Sequence, residues 1–275
     1  MPSLFWRFAV AAVLVANVLA SAPAALGAER WVVILVGIGG EPEYDKNFAE
    51  VADRWQKSFQ DEWKIPADHI VRPQTPLTTA NIEQTLSDLA KKVQANDSFW
   101  LLTLGHGDHD GQHARFHVSG RDPVETDWPR WLADVKCREQ VLWLTHSASG
   151  YLVKLLSKPG RVVIAATEAD AEVNETEFPY ALAKVLEGSA KDNDADSDGQ
   201  VSLAELFPKV VAATNERFTM DKRLPTEHAQ LDDDGDGRGS EELLPPNADD
   251  AAAKNAKAKD GALSRTIFLP WPIKK

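Results

Sequence analysis

Four apolar runs constrain the fold of this chain more than any other feature of its sequence. They are WVVILVGI, SFWLLTLG, QVLWLT and RVVIAAT, which begin at Trp31, Ser98, Gln140 and Arg161. The first run is continuous rather than alternating, which is typical of a strand that is covered on both faces of a sheet. Because segments with a helical pattern separate the runs, the sequence predicts an α/β fold with a mostly parallel sheet and helices on both faces.

The segments between the runs have the apolar spacing of helices. The segments expected to be helical are NFAEVADRWQKSFQDEW, LTTANIEQTLSDLAKKV, WPRWLADVK, NETEFPYALAKVLEG and SLAELFPKVVAATNERF. The last two contain Pro179 and Pro208, which we expect to shorten or kink their helices. The short segment HIVRP predicts a further strand, and GQHARFHVSG predicts a hairpin.

The pattern divides the chain into three parts. Residues 1–28 resemble a secretory signal peptide, with Arg7 before an apolar run from Phe8 to Ala20 and small residues up to Ala28. The run is short for a bilayer span, so we expect cleavage near Ala28, a secreted or periplasmic protein and no membrane span afterwards; an uncleaved anchor is the alternative. Residues 29–244 form the predicted single domain. Residues 245–275 are expected to form a polar connector and a C-terminal edge strand, RTIFLPW.

The charge and cysteine content limit the partners and the sources of stability. A formal net charge of −12 argues against nucleic acid and anionic lipid as partners. The single cysteine, Cys137, allows no internal disulfide, so stability must come from the core, hydrogen bonds and metal. Acidic residues cluster in two loops, and such packing of like charge is costly unless cations neutralise it.

The first acidic loop, DADSDGQVSLAE, has the ligand spacing of an EF-hand calcium loop. Side-chain oxygens occupy loop positions 1, 3, 5, 9 and 12, the carbonyl of position 7 is a further ligand, and Gly199 makes the turn at position 6. The expected Ca²⁺ ligands are Asp194, Asp196, Asp198, Gln200, Ser202 and Glu205. No entering helix is expected before the loop, so the site is EF-like; a solvated acidic turn is the alternative.

The second acidic loop, residues 232–242, matches the same pattern less completely. Asp232, Asp234 and Asp236 have the spacing of positions 1, 3 and 5, and Gly237 stands at position 6. Position 12 is a leucine, so Glu241 or Glu242 would have to supply the last carboxylate. A second Ca²⁺ site is one interpretation, and an acidic loop that folds back on the first site is the other.

Two predicted strands end in turns with polar side chains. His106 lies in the GHG turn after the second run, and Ser147 lies in the THSASG turn after the third. Catalytic side chains collect at the carboxyl ends of parallel strands, so His106 is a candidate base and Ser147 a candidate nucleophile. The expected cleft is lined by Gly107, Thr145, Ser149 and Gly150. An alternative is a zinc site made from His106, Asp108, His109, Asp110, His113 and His117.

These turns resemble those of the legumain-like branch of the caspase-fold cysteine peptidases. That family has a histidine after one strand and a cysteine after the next, in a motif of acid, Ala, Cys, x, Ser, Gly. The chain is similar in more detail to bacterial secreted proteins of this fold that share five motifs. The matching segments are Gly105 to Gly107, Ser147 to Gly150, Ala166 to Phe178, Asp194 to Glu205 and Thr226 to Gly237.

The resemblance implies a three-layer caspase-like domain with an altered nucleophile. Ser147 stands where the family has cysteine, and Thr145 replaces the acidic residue. A serine hydroxyl has a far higher pKa than a thiol, so a histidine placed for cysteine does not by itself make serine nucleophilic. We therefore expect a non-catalytic, calcium-binding module for an unidentified protein or peptide. The alternatives are a hydrolase that uses His106 and Ser147, and a purely structural calcium-binding envelope protein.

Overall fold

A six-stranded sheet forms the centre of the computed structural model, which describes residues 28–170, 172–244 and 260–271. Its strands lie in the order β2-β1-β3-β6-β7-β8, and a separate hairpin consists of β4 and β5. Strands β2, β1, β3, β6 and β7 are parallel, whereas β8 runs antiparallel to β7. The bounds are β1 Arg30–Val36, β2 Ile70–Val71, β3 Ser98–Leu104, β4 Gly107–His109, β5 Ala114–Phe116, β6 Glu139–Leu144, β7 Arg161–Ala165 and β8 Gln230–Asp232.

Helices cover both faces of this sheet. Their bounds are α1 Pro42–Asp61, α2 Thr79–Ala90, α3 Asp127–Leu132, α4 Gly150–Leu156, α5 Phe178–Leu186, α6 Ala190–Asn193 and α7 Leu203–Met220. Val32 and Ile34 of β1 pack with α1, α5 and α7, whereas Val33 and Leu35 pack with α2, α3 and α4. A strand that is buried on both faces favours apolar residues at successive positions, which accounts for the continuous apolar runs. The predicted fold class is confirmed.

Several local predictions differ from the structure. Pro179 lies in the first turn of α5, where proline is tolerated, and α7 continues through the exposed Pro208 to Met220. The segment RTIFLPW does not add a strand to the sheet. It forms a short 3₁₀ turn, Ser264–Thr266, and Phe268 makes an isolated bridge to Ser202. The antiparallel edge strand is instead β8, which the sequence pattern did not indicate.

The signal-peptide prediction for residues 1–28 and the connector prediction for residues 245–260 fall almost wholly outside the described residues. Within the described ranges, no helix is both long and apolar enough to cross a membrane.

Candidate functional site

The carboxyl ends of β1, β3 and β6 bring the two predicted turns to the same edge of the sheet. Strand β3 pairs with β1 on one side and with β6 on the other. The turn after β3 carries His106, and the turn after β6 carries Ser147. The two residues therefore leave neighbouring parallel strands in the same direction, as the sequence predicts.

The hydroxyl of Ser147 is held by the backbone of Gly107. Ser147 Oγ accepts a hydrogen bond from the Gly107 N–H at 3.1 Å and donates one to the Gly107 carbonyl at 3.1 Å. The residue is 1% exposed. A Cβ at position 107 would lie under 3.0 Å from backbone oxygens of Arg115 and Ser147, so glycine is required for this close approach. The hydroxyl thus joins the two turns in a buried position.

His106 lies against aromatic rings rather than against Ser147. Its ring makes edge contacts with Tyr44 and Phe48, each with a centroid separation of 5.1 Å. Burial lowers the pKa of His106, while the nearby Glu175 carboxylate and a hydrogen bond to the Gly39 backbone oppose that shift. Among the described residues, no hydrogen bond joins His106 to Ser147, whose hydroxyl is taken by Gly107. The geometry of a base and its nucleophile is absent from this pair.

A segment after β7 covers the Ser147 turn. The Ala148 N–H donates to the Glu172 carbonyl at 3.0 Å, and Ser149 Oγ accepts a hydrogen bond from the Ala166 N–H at 3.0 Å. The Gly150 N–H donates to Thr167 Oγ1 at 3.2 Å. Gly107, Thr145, Ser149 and Gly150, which were predicted to line a cleft, are all buried and hydrogen-bonded to neighbouring segments.

His146, which sequence reasoning did not single out, lies deepest in this turn. It is 1% exposed, and its Nδ1–H donates to the Ser147 carbonyl at 2.9 Å. Its Nε2 is buried and has no hydrogen-bond partner in the described part of the chain. Burial lowers the pKa of His146 to about 4, so the ring is neutral at pH 7.

The buried His146 predicts an acid-dependent loss of stability. A histidine with a folded pKa of about 4 stabilises the fold fully above pH 6.5, and the contribution is lost as the pH falls towards 4. The expected loss is about 3 kcal/mol. The buried Glu227, whose pKa burial raises to about 8, gains stability over the same fall in pH, so the wild-type profile alone is not informative.

Chemical denaturation at pH 7 and pH 4.5 therefore has to compare wild-type protein with His146→Gln, which retains an amide donor for the Ser147 carbonyl. The wild type is expected to lose more unfolding free energy than the variant, while the control His113→Gln, at a half-exposed site, follows the wild type. Parallel profiles for wild type and His146→Gln would show that burial does not lower the pKa of His146 in the folded state.

An open cleft lies beside His106, and the sequence pattern did not indicate it. It has a volume of about 720 Å³ and lies between the start of α1, the start of α5 with the loop before it, and α7. Thr176 in that loop donates to the Thr145 carbonyl at 2.5 Å, which ties the cleft to the end of β6. The residues around it include Glu41, Glu43, Tyr44, Glu175, Tyr180 and Arg217. The matching segment from Ala166 to Phe178 contained a signal for it, since Glu175 lies there.

The histidines of the alternative zinc site have separate partners. His109 stacks on Tyr151 at 3.7 Å, and His113 Nδ1 lies 3.0 Å from Glu125. His117 Nε2 lies 2.9 Å from Asp108. Among the described residues, the groups that could hold a metal ion lie elsewhere. The geometry does not support that zinc site.

Three carboxylates of the first acidic loop converge on one centre. Ligand atoms of Asp194, Asp196 and Glu205 lie within 4.8 Å of one another. The Glu205 carboxylate accepts hydrogen bonds from the N–H groups of Ala195 at 2.7 Å and Ser202 at 2.7 Å, and forms a capping box at the start of α7. Asp198, Gln200 and Ser202 lie in the same loop. A short helix, α6, does precede the loop, contrary to the sequence-based expectation, because Ser189 caps it.

The second acidic loop repeats the hydrogen bonds of the first. In both loops, the N–H of position 6 donates to the carboxylate of position 1, position 5 donates to position 3, and position 7 donates to position 5. The donors are Gly199, Asp198 and Gln200 in the first loop and Gly237, Asp236 and Arg238 in the second. The two loops therefore share the turn geometry of a cation-binding loop.

Asp260, which lies outside the second loop in sequence, brings a carboxylate to it. Asp232, Asp234 and Asp260 offer oxygens within 4.8 Å of one another. The Asp233 N–H donates to Asp260 at 2.9 Å, just as position 2 of the first loop donates to Glu205. Burial raises the pKa of Asp260 to about 6. Glu241 and Glu242, which were expected to supply this carboxylate, are not part of the group.

Comparison by structure finds a similarity to the crystal structure of caspase-1 from Spodoptera frugiperda, with a TM-score of 0.51 and 9% sequence identity. The similarity covers 75% of this chain and 87% of that chain. Compared by sequence, the chain matches no protein-family model and no curated protein. At an identity this low, the similarity supports the fold alone and not a shared function. The mostly parallel six-stranded sheet and its flanking helices are thus a caspase-like α/β fold in a single domain.

Proposed function

We propose that this protein is a secreted or periplasmic, calcium-stabilised binding module that uses a caspase-like fold, of the legumain-like type, without peptidase chemistry. The observation that carries the proposal is the position of the Ser147 hydroxyl. It is buried between the N–H and the carbonyl of Gly107 and makes no hydrogen bond to His106 among the described residues.

The backbone around Ser147 also supports a non-catalytic role. Peptide hydrolysis needs free N–H groups that can hold the oxyanion of the tetrahedral intermediate. Here the Gly107 N–H donates to Ser147 Oγ, and the Ala148 N–H donates to the Glu172 carbonyl. A substrate carbonyl would have to displace both contacts and the covering segment before any reaction.

The open cleft beside His106 favours a binding module over a purely structural envelope protein. A structural protein has no need for a concave site at the carboxyl ends of the strands. The volume of about 720 Å³ is in the range of ligand-binding sites.

Calcium is the cation that best suits the first acidic loop. Hard carboxylate and carbonyl oxygens are the ligands that Ca²⁺ prefers, and six to eight of them are usual. Asp194, Asp196, Asp198, Gln200, Ser202 and Glu205 would supply them. The convergence of three of these carboxylates supports the assignment.

In the second loop, we propose that Asp260 takes the role that Glu205 has in the first. Asp232, Asp234 and Asp236 would be the other acidic ligands. The segment after Asp260 is also tied to this loop, because the Asp233 carboxylate accepts hydrogen bonds from the N–H groups of Gly261 and Ser264. Cation binding would therefore fasten the C-terminal segment to the sheet edge at β8.

The change Asp260→Asn is expected to reduce the calcium stoichiometry from two ions per chain to one, as measured by calorimetric titration. The change Glu242→Gln is the matched control, because Glu242 is exposed and stands outside the cluster. If Asp260→Asn still bound two ions and Glu242→Gln bound only one, Glu242 rather than Asp260 would be the ligand.

A hydrolysis assay tests the non-catalytic claim. Purified calcium-loaded protein is incubated with mixed internally quenched peptides, beside the variants Ser147→Ala and His106→Ala. We expect no cleavage above the protein-free control for any of the three proteins. Cleavage by the wild type that Ser147→Ala abolishes would make the protein a serine hydrolase.

A further inference from the structure

The cleft beside His106 carries more negative charge than the basic side chains around it neutralise. Glu177 at its edge is paired with Arg217 at 2.7 Å and also with Arg223. Glu41, Glu43 and Glu175 make no ion pair with a basic side chain anywhere in the described ranges. The cleft therefore has three unpaired carboxylates and one arginine, Arg217, which shares Glu177 with Arg223, while Arg223 also pairs with Asp221.

Aromatic rings give the same cleft surfaces on which a cation can lie. The Arg217 guanidinium lies over the Tyr180 ring at 5.0 Å from its centroid, a favourable contact between a cation and an aromatic face. The Tyr180 hydroxyl donates to Glu175 at 2.6 Å, which fixes both side chains. Tyr44 also borders the cleft and contacts His106.

The form of the cleft suits an organic cation better than a metal ion. Its carboxylates are absent from the described groups that could converge on one ion, unlike those of the acidic loops. Its volume exceeds what a hydrated ion needs and is sufficient for a long side chain with adjoining peptide. Spread carboxylates beside aromatic rings are the surroundings in which guanidinium and ammonium groups bind.

We propose that this cleft binds an arginine or lysine side chain of a peptide. The assignment rests on the proposed function, because it names the ligand of the binding module. The cation lies among Glu43, Glu175 and the tyrosine rings, and the peptide backbone runs along the carboxyl edge of the sheet near His106.

The test uses acetylated and amidated pentapeptides with randomised neutral flanks and a central Arg, Lys, citrulline or Glu. Citrulline has the shape of arginine without its charge. Peptides are captured on the immobilised calcium-loaded protein, and the retained fraction of each is measured by mass spectrometry. We expect Arg and Lys peptides to be retained about tenfold better than citrulline peptides, and Glu peptides least. The preference falls as salt rises.

Matched variants distinguish peptide binding in this cleft from attraction by the overall negative charge of the protein. Glu43→Gln and Glu175→Gln are each expected to lower Arg retention by about fivefold. Glu50→Gln, an exposed position on the same helix as Glu43 that is paired with Lys46, leaves it unchanged. Arg217→Met raises retention of Arg peptides, because it removes a competing cation.

Equal retention of Arg and citrulline peptides would overturn the proposal, as would a loss in Glu50→Gln equal to that in Glu175→Gln. Neither result bears on Ser147. Cleavage of a retained peptide, in contrast, would overturn the non-catalytic function and leave the cationic cleft in place. The two failures are therefore distinguishable.

Discussion

Replacing Gly150 by alanine is expected to prevent folding or to lower the melting temperature by more than about 10 °C. A Cβ at this position would lie under 3.0 Å from backbone atoms of Thr167, Glu168 and Ala169. Backbone atoms cannot rotate away as a flexible side chain can, so either α4 or the covering segment would have to move. Circular dichroism melting in calcium buffer measures the effect.

Gly160→Ala is the control for this prediction. A Cβ at Gly160 has no heavy atom within 4 Å, and the only expected penalty is that of a left-handed backbone at φ 79°, about 1 kcal/mol. Similar melting temperatures for the two variants would show that the segment after β7 does not lie on the start of α4. The covered state of the Ser147 turn would then be in doubt.

Removal of calcium is expected to have the second large effect. A ligand that binds only the folded state stabilises it by about 2.7 kcal/mol per site at 100 times the dissociation constant. For a domain of this size, each occupied site then raises the melting temperature by about 5 to 10 °C. Differential scanning calorimetry in excess Ca²⁺ and in a chelator measures the difference. An unchanged melting temperature would contradict calcium stabilisation.

The variant Glu205→Gln assigns part of that difference to the first loop. Glu205 also belongs to the capping box of α7, so the variant is less stable even without calcium. The informative quantity is therefore the calcium-dependent shift in melting temperature. We expect this shift to be smaller in the variant by the contribution of one calcium site. Glu216→Gln, an exposed residue of the same helix that is paired with Lys184, retains the full shift. A full shift in Glu205→Gln would remove Glu205 from the ligands.

The central sheet could be predicted from the sequence because each long strand is buried on both faces. The apolar runs coincide with β1, β3, β6 and β7 to within a few residues. Edge elements gave weaker signals. Strand β8 has three residues and, among the described strands, pairs only with β7, so its sequence needs no apolar run. RTIFLPW has the composition of a strand, but its residues pack beside α7 and into the core on that face of the sheet.

The sequence predicts where the candidate site lies in the fold, but it does not predict which side chains contact one another there. Strand order places His106 and Ser147 at the same edge, and this follows from the pattern of strands and turns. Whether a hydroxyl faces a histidine or a backbone carbonyl depends on distances of about 3 Å, which no spacing rule gives. Asp260 and the cleft were missed because their partners lie far apart in sequence. Asp260, for example, completes a loop that begins at Asp232.

Intact-mass labelling of the calcium-loaded protein tests the central claim most directly. The protein is treated with a serine-directed fluorophosphonate and, separately, with a thiol-directed acyloxymethyl ketone, beside Ser147→Ala. We predict no adduct at Ser147, because its hydroxyl is buried between two backbone groups of Gly107. A stoichiometric fluorophosphonate adduct that Ser147→Ala abolishes would contradict it and identify the protein as a serine hydrolase.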